Sequence, residues 1–247
     1  QTNYYRITDV DDSLNESAFS NEVSKATGLV ADGLTVYYPL DGNTNDESGN
    51  GNDATESGGV QQTGDRFDND EESAYYFDGV DDEIDGPDLT RLSSESYSLW
   101  FQFGELTSNQ VIISLGVDNT PTYWSLMYYT STSTLVWLTR DVDGGWSTVA
   151  IMENIDQYWH HFVYIKTGNV HKVYLDGTII IQEGTVVEIG SQTHQLHFGY
   201  NAHISPGFQY HYQGKIDDVR IYDRVLTEEE IDFLYHQDGW HPAPVEG

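Results

Sequence analysis

Short apolar runs with a period of two dominate the chain, and Gly, Asn, Asp and Ser fill the gaps between them. This alternation places successive side chains on opposite faces, which is the pattern of a half-buried strand. Many short strands with turn residues between them predict an antiparallel sandwich or barrel. The predicted strands are 4–8, 35–40, 73–77, 97–103, 111–115, 123–129, 134–139, 148–152, 160–166, 170–175, 178–182, 195–199 and 214–222.

One segment near the C-terminus departs from this pattern. Thr227 precedes three glutamates at 228–230, and Ile231 and Leu234 follow at helical spacing. A Thr followed three residues later by Glu is a capping box, and acids in the first turn complement the helix dipole. The segment therefore predicts one short C-terminal helix, followed by a loose tail over 241–247.

Two local patterns in the central region make specific predictions. Asp176-Gly177 separates two apolar runs and is typical of a tight hairpin turn, because such turns need positive φ. His160 and His161 are adjacent in a predicted strand, so their side chains should point to opposite faces. We therefore expect at most one of the two to be buried.

Charge is the most extreme feature of the composition. The chain has 41 acidic and 10 basic residues, a formal net charge of −31, and no cysteine. Such a surface repels nucleic acid and anionic lipid, which need clusters of Lys and Arg, so these partners are excluded. An acidic surface suits salty surroundings such as seawater, and some of its carboxylates can also bind calcium. No apolar run approaches the ~20 residues of a membrane span.

The first 27 residues form a separate segment. Residues 3–27 read NYYRITDVDDSLNESAFSNEVSKAT and resemble the last two strands of a fibronectin type III domain. Two strands cannot build a sandwich core, because an isolated hairpin is marginal in water. We therefore predict that 1–27 is the remnant of a neighbouring domain and that 28–240 is the main domain. The chain would then be a piece of a longer polypeptide.

Four motifs follow in order from residue 28 onward. They are LTVYYPLDGNTNDESGNGNDAT at 34–55, AYYFDGVDDEI at 74–84, the pair YWHHFVY and KVYLDG at 158–164 and 172–177, and GKIDDVRIYDRVL at 214–226. This ordered set resembles the laminin-G-like jelly roll of the concanavalin A-like lectin/glucanase superfamily. The resemblance implies an all-β fold, namely a two-sheet antiparallel β-sandwich (jelly roll) with one short C-terminal helix. It also implies a bacterial protein that is secreted or exposed at the cell surface.

The loop at 41–53 is dense in side chains that carry oxygen. Calcium takes six to eight oxygen ligands, but Asn, Asp and Gly are also ordinary turn residues, so the composition leaves a metal-free turn open. Jelly rolls of the family that the chain resembles often hold a structural calcium between this loop and the closing strand. If so, calcium should raise the melting temperature and EDTA should lower it. The implied Ca²⁺ ligands are Asp41, Asn43, Asp46, Asp217 and, as an additional ligand, Asp218.

Aromatic residues make up 13% of the chain, and many lie outside these motifs. Aromatic faces can stack on the apolar faces of sugar rings, while polar neighbours bond the hydroxyls. The alternative is that strand aromatics belong to the core. The Asp-Gly-Gly sequence just before Trp146 favours a turn and therefore exposure of that residue. The candidate ligand-binding residues are Trp124, Tyr128, Trp137, Trp146, Tyr210 and Tyr212.

The acids Glu83, Asp85 and Asp88 superficially match the carboxylate pairs of glycanases. We expect Gly86 and Pro87 to interrupt the strand, because Pro cannot donate within a ladder, so that the third acid leaves the shared face. No Ser/His/Asp set, zinc pattern or phosphate loop stands out. No residue is therefore predicted to be catalytic.

Together these observations predict a non-catalytic carbohydrate-binding module of a secreted multidomain polysaccharide-active protein, stabilised by structural calcium. The predicted partners are a polysaccharide or other glycan and the neighbouring domains of the same polypeptide, and the module itself is expected to be a monomer. Two alternatives stay open. One is a calcium-dependent adhesion or spacer module of a bacterial surface protein, and the other is a glycanase or polysaccharide lyase.

Overall fold

The computed structural model describes residues 30–67, 73–118, 123–140, 143–185, 193–203 and 210–240. In this part of the chain two antiparallel sheets pack face to face, which confirms the predicted sandwich. The predicted fibronectin-like remnant at 1–27 and the predicted tail at 241–247 lie outside the described residues. Within the described ranges, no helix has the length and apolar character that a membrane crossing requires.

The elements follow the predicted periodicity closely. One helix, α1 (Glu228–Tyr235), follows the last strand, and a 3-10 turn (Gln237–Gly239) ends the described chain. The strands are β1 (Leu34–Tyr38), β2 (Thr55–Ser57), β3 (Gln61–Thr63), β4 (Ala74–Asp78), β5 (Glu83–Thr90), β6 (Ser94–Phe103), β7 (Gln110–Leu115), β8 (Val117–Asp118), β9 (Trp124–Tyr129), β10 (Thr134–Arg140), β11 (Trp146–Glu153), β12 (Trp159–Thr167), β13 (Val170–Leu175), β14 (Thr178–Thr185), β15 (Thr193–Phe198), β16 (Ala202–His203) and β17 (Gln213–Tyr222).

Two large sheets account for most of these strands. The first sheet has the order β14-β13-β12-β6-β17-β4-β3, and β1 also pairs with β17. The second sheet has the order β11-β10-β9-β7-β15-β5-β2. The short strands β8 and β16 form a separate parallel pair. The last described strand, β17, thus lies in the interior of the first sheet, between β6 and β4.

Inward-facing side chains of both sheets fill the space between them. In the first sheet, Phe162 and Tyr164 of β12 face this core, and both are fully buried. In the second sheet, Trp124 and Trp137 face it, and their rings stack with centroids 4.6 Å apart. Tyr164 closes the layer, because its ring centroid lies 4.1 Å from that of Trp137. Large aromatic side chains thus join the two sheets at the centre of the sandwich.

The opposite face of the first sheet is covered by α1. Thr227 and Glu230 form the predicted capping box, and Tyr235 at the end of the helix stacks on Trp100 with ring centroids 5.7 Å apart. His161 stacks on the other side of Trp100 at 4.9 Å. Because both faces of this sheet are covered, His160 and His161 are both buried, with exposed fractions of 5% and 1%. The prediction that at most one would be buried is wrong.

The hairpin turn between β13 and β14 has the predicted geometry. Asp176 and Gly177 have φ values of 51° and 69°, as the Asp-Gly sequence requires. The Asp176 carboxylate then reaches back to β12, where it accepts a hydrogen bond from the backbone N–H of His161 and contacts the His160 Nδ1 at 2.8 Å. The other ring nitrogen of His160 lies 3.0 Å from the carboxylate of Asp156.

These contacts predict a pH-dependent contribution to stability. Burial alone would lower the pKa of His160, but the Asp176 and Asp156 carboxylates outweigh burial and raise it. A raised folded-state pKa stabilises the fold below the unfolded value of about 6.5 and loses that effect as pH rises through the folded value. We expect the melting-temperature difference between wild type and His160→Asn to shrink between about pH 6 and pH 9. A difference that stays constant over this range would contradict the assignment.

Candidate functional site

Four of the six predicted ligand-binding aromatics are core residues. Trp124, Trp137 and Tyr212 have no exposed surface, and Tyr128 is 3% exposed. The three strand residues alternate toward the space between the sheets, whereas the Tyr212 hydroxyl donates to the backbone oxygens of Gln102 and Lys215. Sugar rings cannot reach these side chains, so the prediction that they form a platform is wrong.

Trp146 is the predicted aromatic that the structure does expose, with 46% of its surface open. It is the first residue of β11, at the edge of the second sheet. The guanidinium carbon of Arg140 lies 5.1 Å from its ring centroid, and the Tyr123 ring meets it edge-on at 6.1 Å. Arg140 also donates to the backbone oxygen of Gly144 in the preceding turn. The Trp146 indole is therefore held in place by Arg140 and Tyr123 and is accessible to solvent.

Tyr210 lies on the same face of the second sheet and is half-buried. Its backbone N–H donates to Asn201 Oδ1 at 2.7 Å, and its backbone oxygen accepts from Val111 at 3.0 Å. Together with Tyr129, it packs against a small apolar cluster that faces away from the core, called the outer-face cluster below. Its members are Val111, Tyr123, Met127, Val136 and Leu138. These members are at most 7% exposed. Trp146 contacts the cluster through Tyr123, so Trp146 and Tyr210 both pack on the same buried cluster.

Polar side chains continue this face on the neighbouring strands β15 and β5. Asp85 Oδ1 lies 2.7 Å from His197 Nδ1 and accepts a hydrogen bond from the Tyr200 hydroxyl at 2.8 Å. Burial alone would raise the pKa of Asp85, but the hydrogen bonds from His197 and Tyr200 hold it below its usual value. Burial and the nearby Asp85 raise the pKa of Glu83. Sequence reasoning did not bring His197 and Tyr200 to this site, because only the fold places them beside Asp85.

The strand that carries these acids is unbroken, contrary to expectation. Asp85 pairs with His197 and Asp88 pairs with Gln195, so β5 has one extra residue over this stretch. The resulting bulge at 86–87 keeps Asp85 and Asp88 on the same face. The predicted interruption is therefore wrong. The pKa of Glu83 is raised and that of Asp85 is lowered, as in the acid–base pairs of some enzymes. The Asp85 carboxylate, however, is already hydrogen-bonded to His197 and Tyr200.

Three carboxylates meet in the turn between β4 and β5. Ligand oxygens of Asp78, Asp81 and Asp82 all lie within 4.8 Å of one another. Two of these side chains already organise the turn, since Asp82 Oδ2 accepts from the backbone N–H of Asp78 and Asp78 Oδ1 accepts from Val80. The sequence motif AYYFDGVDDEI contains these acids, and as a motif it predicts only the fold.

The predicted calcium loop and the closing strand do lie side by side. β1 pairs with β17, and the Tyr37 hydroxyl donates to Asp218 Oδ1 at 3.1 Å. Within the loop, however, both oxygens of Asp46 are engaged by protein donors. Burial alone would raise the pKa of Asp46, but these hydrogen bonds lower it. The donors are the backbone N–H groups of Tyr37, Ser48 and Asn52 and the Ser48 hydroxyl.

The remaining predicted ligands also have protein partners. Asn43 Oδ1 accepts from the backbone N–H of Asn45, and its amide nitrogen donates to the backbone oxygen of Asp41. Asp217 and Asp218 form ion pairs with the guanidinium of Arg66, at 2.6 and 2.8 Å. Calcium needs several oxygens with free lone pairs around one point. The predicted set therefore does not fit one calcium ion as these side chains are arranged.

Comparisons with known proteins agree with the fold. The family model described as "Concanavalin A-like lectin/glucanases superfamily" matches residues 77–232. No curated protein sequence matches the chain. Among solved structures, domain 4 of AbnA, a GH43 extracellular arabinanase from Geobacillus stearothermophilus in complex with arabinotriose, has a TM-score of 0.69 at 21% identity. That match covers 82% of this chain and 98% of the arabinanase domain.

Two botulinum neurotoxin structures are similar at the level of the fold. The serotype D binding domain has a TM-score of 0.66 at 16% identity, over 84% of this chain and 52% of the toxin chain. A structure of the type C toxin has a TM-score of 0.67 at 17% identity, over 85% of this chain and 52% of the toxin chain. Cell entry of that toxin is described as dependent on interaction with two ganglioside molecules. This chain thus spans about half the length of these toxin domains.

Proposed function

Because the chain belongs to the concanavalin A-like lectin/glucanases superfamily, we propose that it binds a glycan and does not cleave it. Structural neighbours support this proposal, since one is a domain of an extracellular arabinanase in complex with arabinotriose and another is described with gangliosides. By analogy, we propose that the chain is a module of a secreted, polysaccharide-active protein.

The exposure of Trp146 carries the proposal. The Trp146 indole is exposed, and Arg140 packs against its ring. It therefore presents a flat apolar surface on which the apolar face of a sugar ring can stack. The Trp146 side chain loses little conformational entropy when a ligand binds, because it is already held in place. Its contacts are the turn at Gly144 and the side chains of Arg140 and Tyr123. Tyr210 is half-buried and adds a second aromatic near β7. The members of the outer-face cluster are at most 7% exposed, so they support Trp146 and Tyr210 from beneath and do not themselves contact the ligand.

Charge narrows the class of glycan. A formal net charge of −31 repels a long anionic polymer, and this repulsion weakens as salt screens it. We therefore propose neutral polysaccharides as ligands, in preference to polyuronates or sulfated chains. Arabinan is a neutral polymer and belongs in the first panel tested, because one structural neighbour is described with arabinotriose.

Replacing Trp146 with alanine tests the proposal. We expect the dissociation constant for the retained neutral polysaccharide to rise at least about tenfold, which corresponds to about 1.4 kcal/mol. Tyr158→Ala is the matched control, because Tyr158 is also an exposed aromatic, 69% open against 46% for Trp146, and it lies in the turn before β12. Affinity gel electrophoresis with each polysaccharide in the gel provides the measurement.

The outcomes separate the alternatives. Equal binding by wild type and Trp146→Ala would show that the glycan-binding site does not include this tryptophan. An absence of retention by any polysaccharide would favour the adhesion or spacer module instead. Release of reducing ends by wild type, abolished by Glu83→Gln, would contradict the non-catalytic assignment.

A further inference from the structure

The closing strand β17 presents two consecutive carboxylates to the same side of the first sheet. Asp217 pairs with Trp100 of β6 and Arg220 pairs with Ser98, so β17 has one extra residue over this stretch. The extra residue forms a bulge, and Asp218 has a φ of 50°, in the left-handed region. In a regular strand, adjacent side chains would point to opposite faces. The bulge therefore creates a site with two negative charges.

Arg66 occupies this site. Its Nη1 lies 2.6 Å from Asp217 Oδ2, and its Nη2 lies 2.8 Å from Asp218 Oδ2. The guanidinium carbon also lies 4.7 Å from the ring centroid of Trp100 and 4.6 Å from that of Phe67. The Arg66 side chain is only 2% exposed. One planar cation thus bridges both carboxylates in a setting that excludes water.

A second arginine completes the charge balance. Arg220 Nη2 lies 3.1 Å from Asp218 Oδ1, and the Tyr37 hydroxyl donates to the same oxygen. The Arg220 guanidinium also lies 4.3 Å from the ring centroid of Tyr37. The two guanidinium groups neutralise the two carboxylates. A divalent ion brought to this point would meet two positive charges and would have to displace hydrogen bonds that are already made.

We propose that, at the closing strand, the Arg66 guanidinium replaces the structural calcium ion that the family resemblance implies. The domain is therefore stable without a metal. The arginine ties the turn before β4 to a strand some 150 residues later in the chain, which is the cross-link that a structural cation would provide. Asp46 correspondingly organises its own loop through backbone donors rather than through a metal.

Melting temperatures of the whole 247-residue chain test this proposal. Wild type should melt at the same temperature in EDTA as in CaCl2 at matched ionic strength, and MgCl2 serves as the control for general screening of the acidic surface. Arg66→Ala should melt roughly 6–20 °C lower, because it leaves Asp217 buried without its guanidinium partner and leaves Asp218 with only Arg220 and the Tyr37 hydroxyl. Calcium or dilute guanidinium ion should then raise the melting temperature of this variant and leave that of wild type unchanged.

Arg66→Lys provides the conservative comparison. It keeps the charge and loses the two-pronged geometry, so it should melt between wild type and Arg66→Ala and stay insensitive to calcium. A fall of several degrees for wild type in EDTA, or a rise in calcium beyond that in magnesium, would overturn the proposal. The wild-type measurement decides the matter even if Arg66→Ala does not fold.

Discussion

Replacing Trp137 with alanine is expected to lower the free energy of unfolding by about 3–5 kcal/mol. The indole is fully buried, and its ring stacks on Tyr164 at 4.1 Å and on Trp124 at 4.6 Å. The Phe162 ring is also nearly parallel to it, with ring centroids 5.6 Å apart. Aromatic neighbours that are themselves stacked cannot collapse into the space, so most of the cavity would remain. Urea unfolding followed by tryptophan fluorescence measures the change.

Trp146→Ala is the matched comparison for this prediction. That variant also removes an indole from the second sheet, but from an exposed position, and we expect it to cost less than about 1 kcal/mol of stability. The two variants should thus separate the two properties, since Trp137→Ala affects folding and Trp146→Ala affects glycan binding. A Trp137→Ala protein of wild-type stability that has lost glycan binding would show that the buried assignment of Trp137 is mistaken.

Removing Arg91 is expected to have an effect of similar size, about 3–5 kcal/mol. Arg91 forms an ion pair with Glu95, and both side chains are at most 3% exposed. Glu95 also accepts the backbone N–H of Leu92 at 3.0 Å, so its carboxylate cannot swing out to water without breaking this turn. Arg91→Met would leave the carboxylate buried without its guanidinium partner, and the cost arises from that unpaired charge.

A double-mutant cycle checks this reasoning. Arg91→Met combined with Glu95→Leu should lose less stability than Arg91→Met alone, because no charge is then left buried without a partner. Added salt should change the cost of Arg91→Met little, since the pair is shielded from solvent. A single variant within about 1 kcal/mol of wild type would show that the pair is dispensable.

Local patterns predicted the elements of this fold well. The Asp176-Gly177 turn and the capping box at Thr227 each depend on residues adjacent in sequence, and both are present as predicted. Strand β5 was missed because the local rule against Gly and Pro in a strand is overridden at 86–87 by a bulge. A bulge depends on the partner strand, which a single segment does not reveal.

The site was harder to predict than the fold, for two physical reasons. Alternation tells which side chains share a face, but not which face meets solvent, so Trp137 and Trp146 could not be distinguished by period alone. The partner of Asp217 is Arg66, 151 residues away along the chain. No spacing rule connects such residues, and only the packing of the turn before β4 on the closing strand brings them together.

The position of β17 has a consequence for how the protein is made. Among the described strands, β17 is the last to be synthesised, yet it lies between β6 and β4 and also pairs with β1. Until it arrives, its neighbours have unpaired backbone edges, which are templates for association with other chains. Assembly of the first sheet must therefore wait until β17 has been synthesised, and a chain that ends before Gln213 would lack the strand that joins the two parts of this sheet.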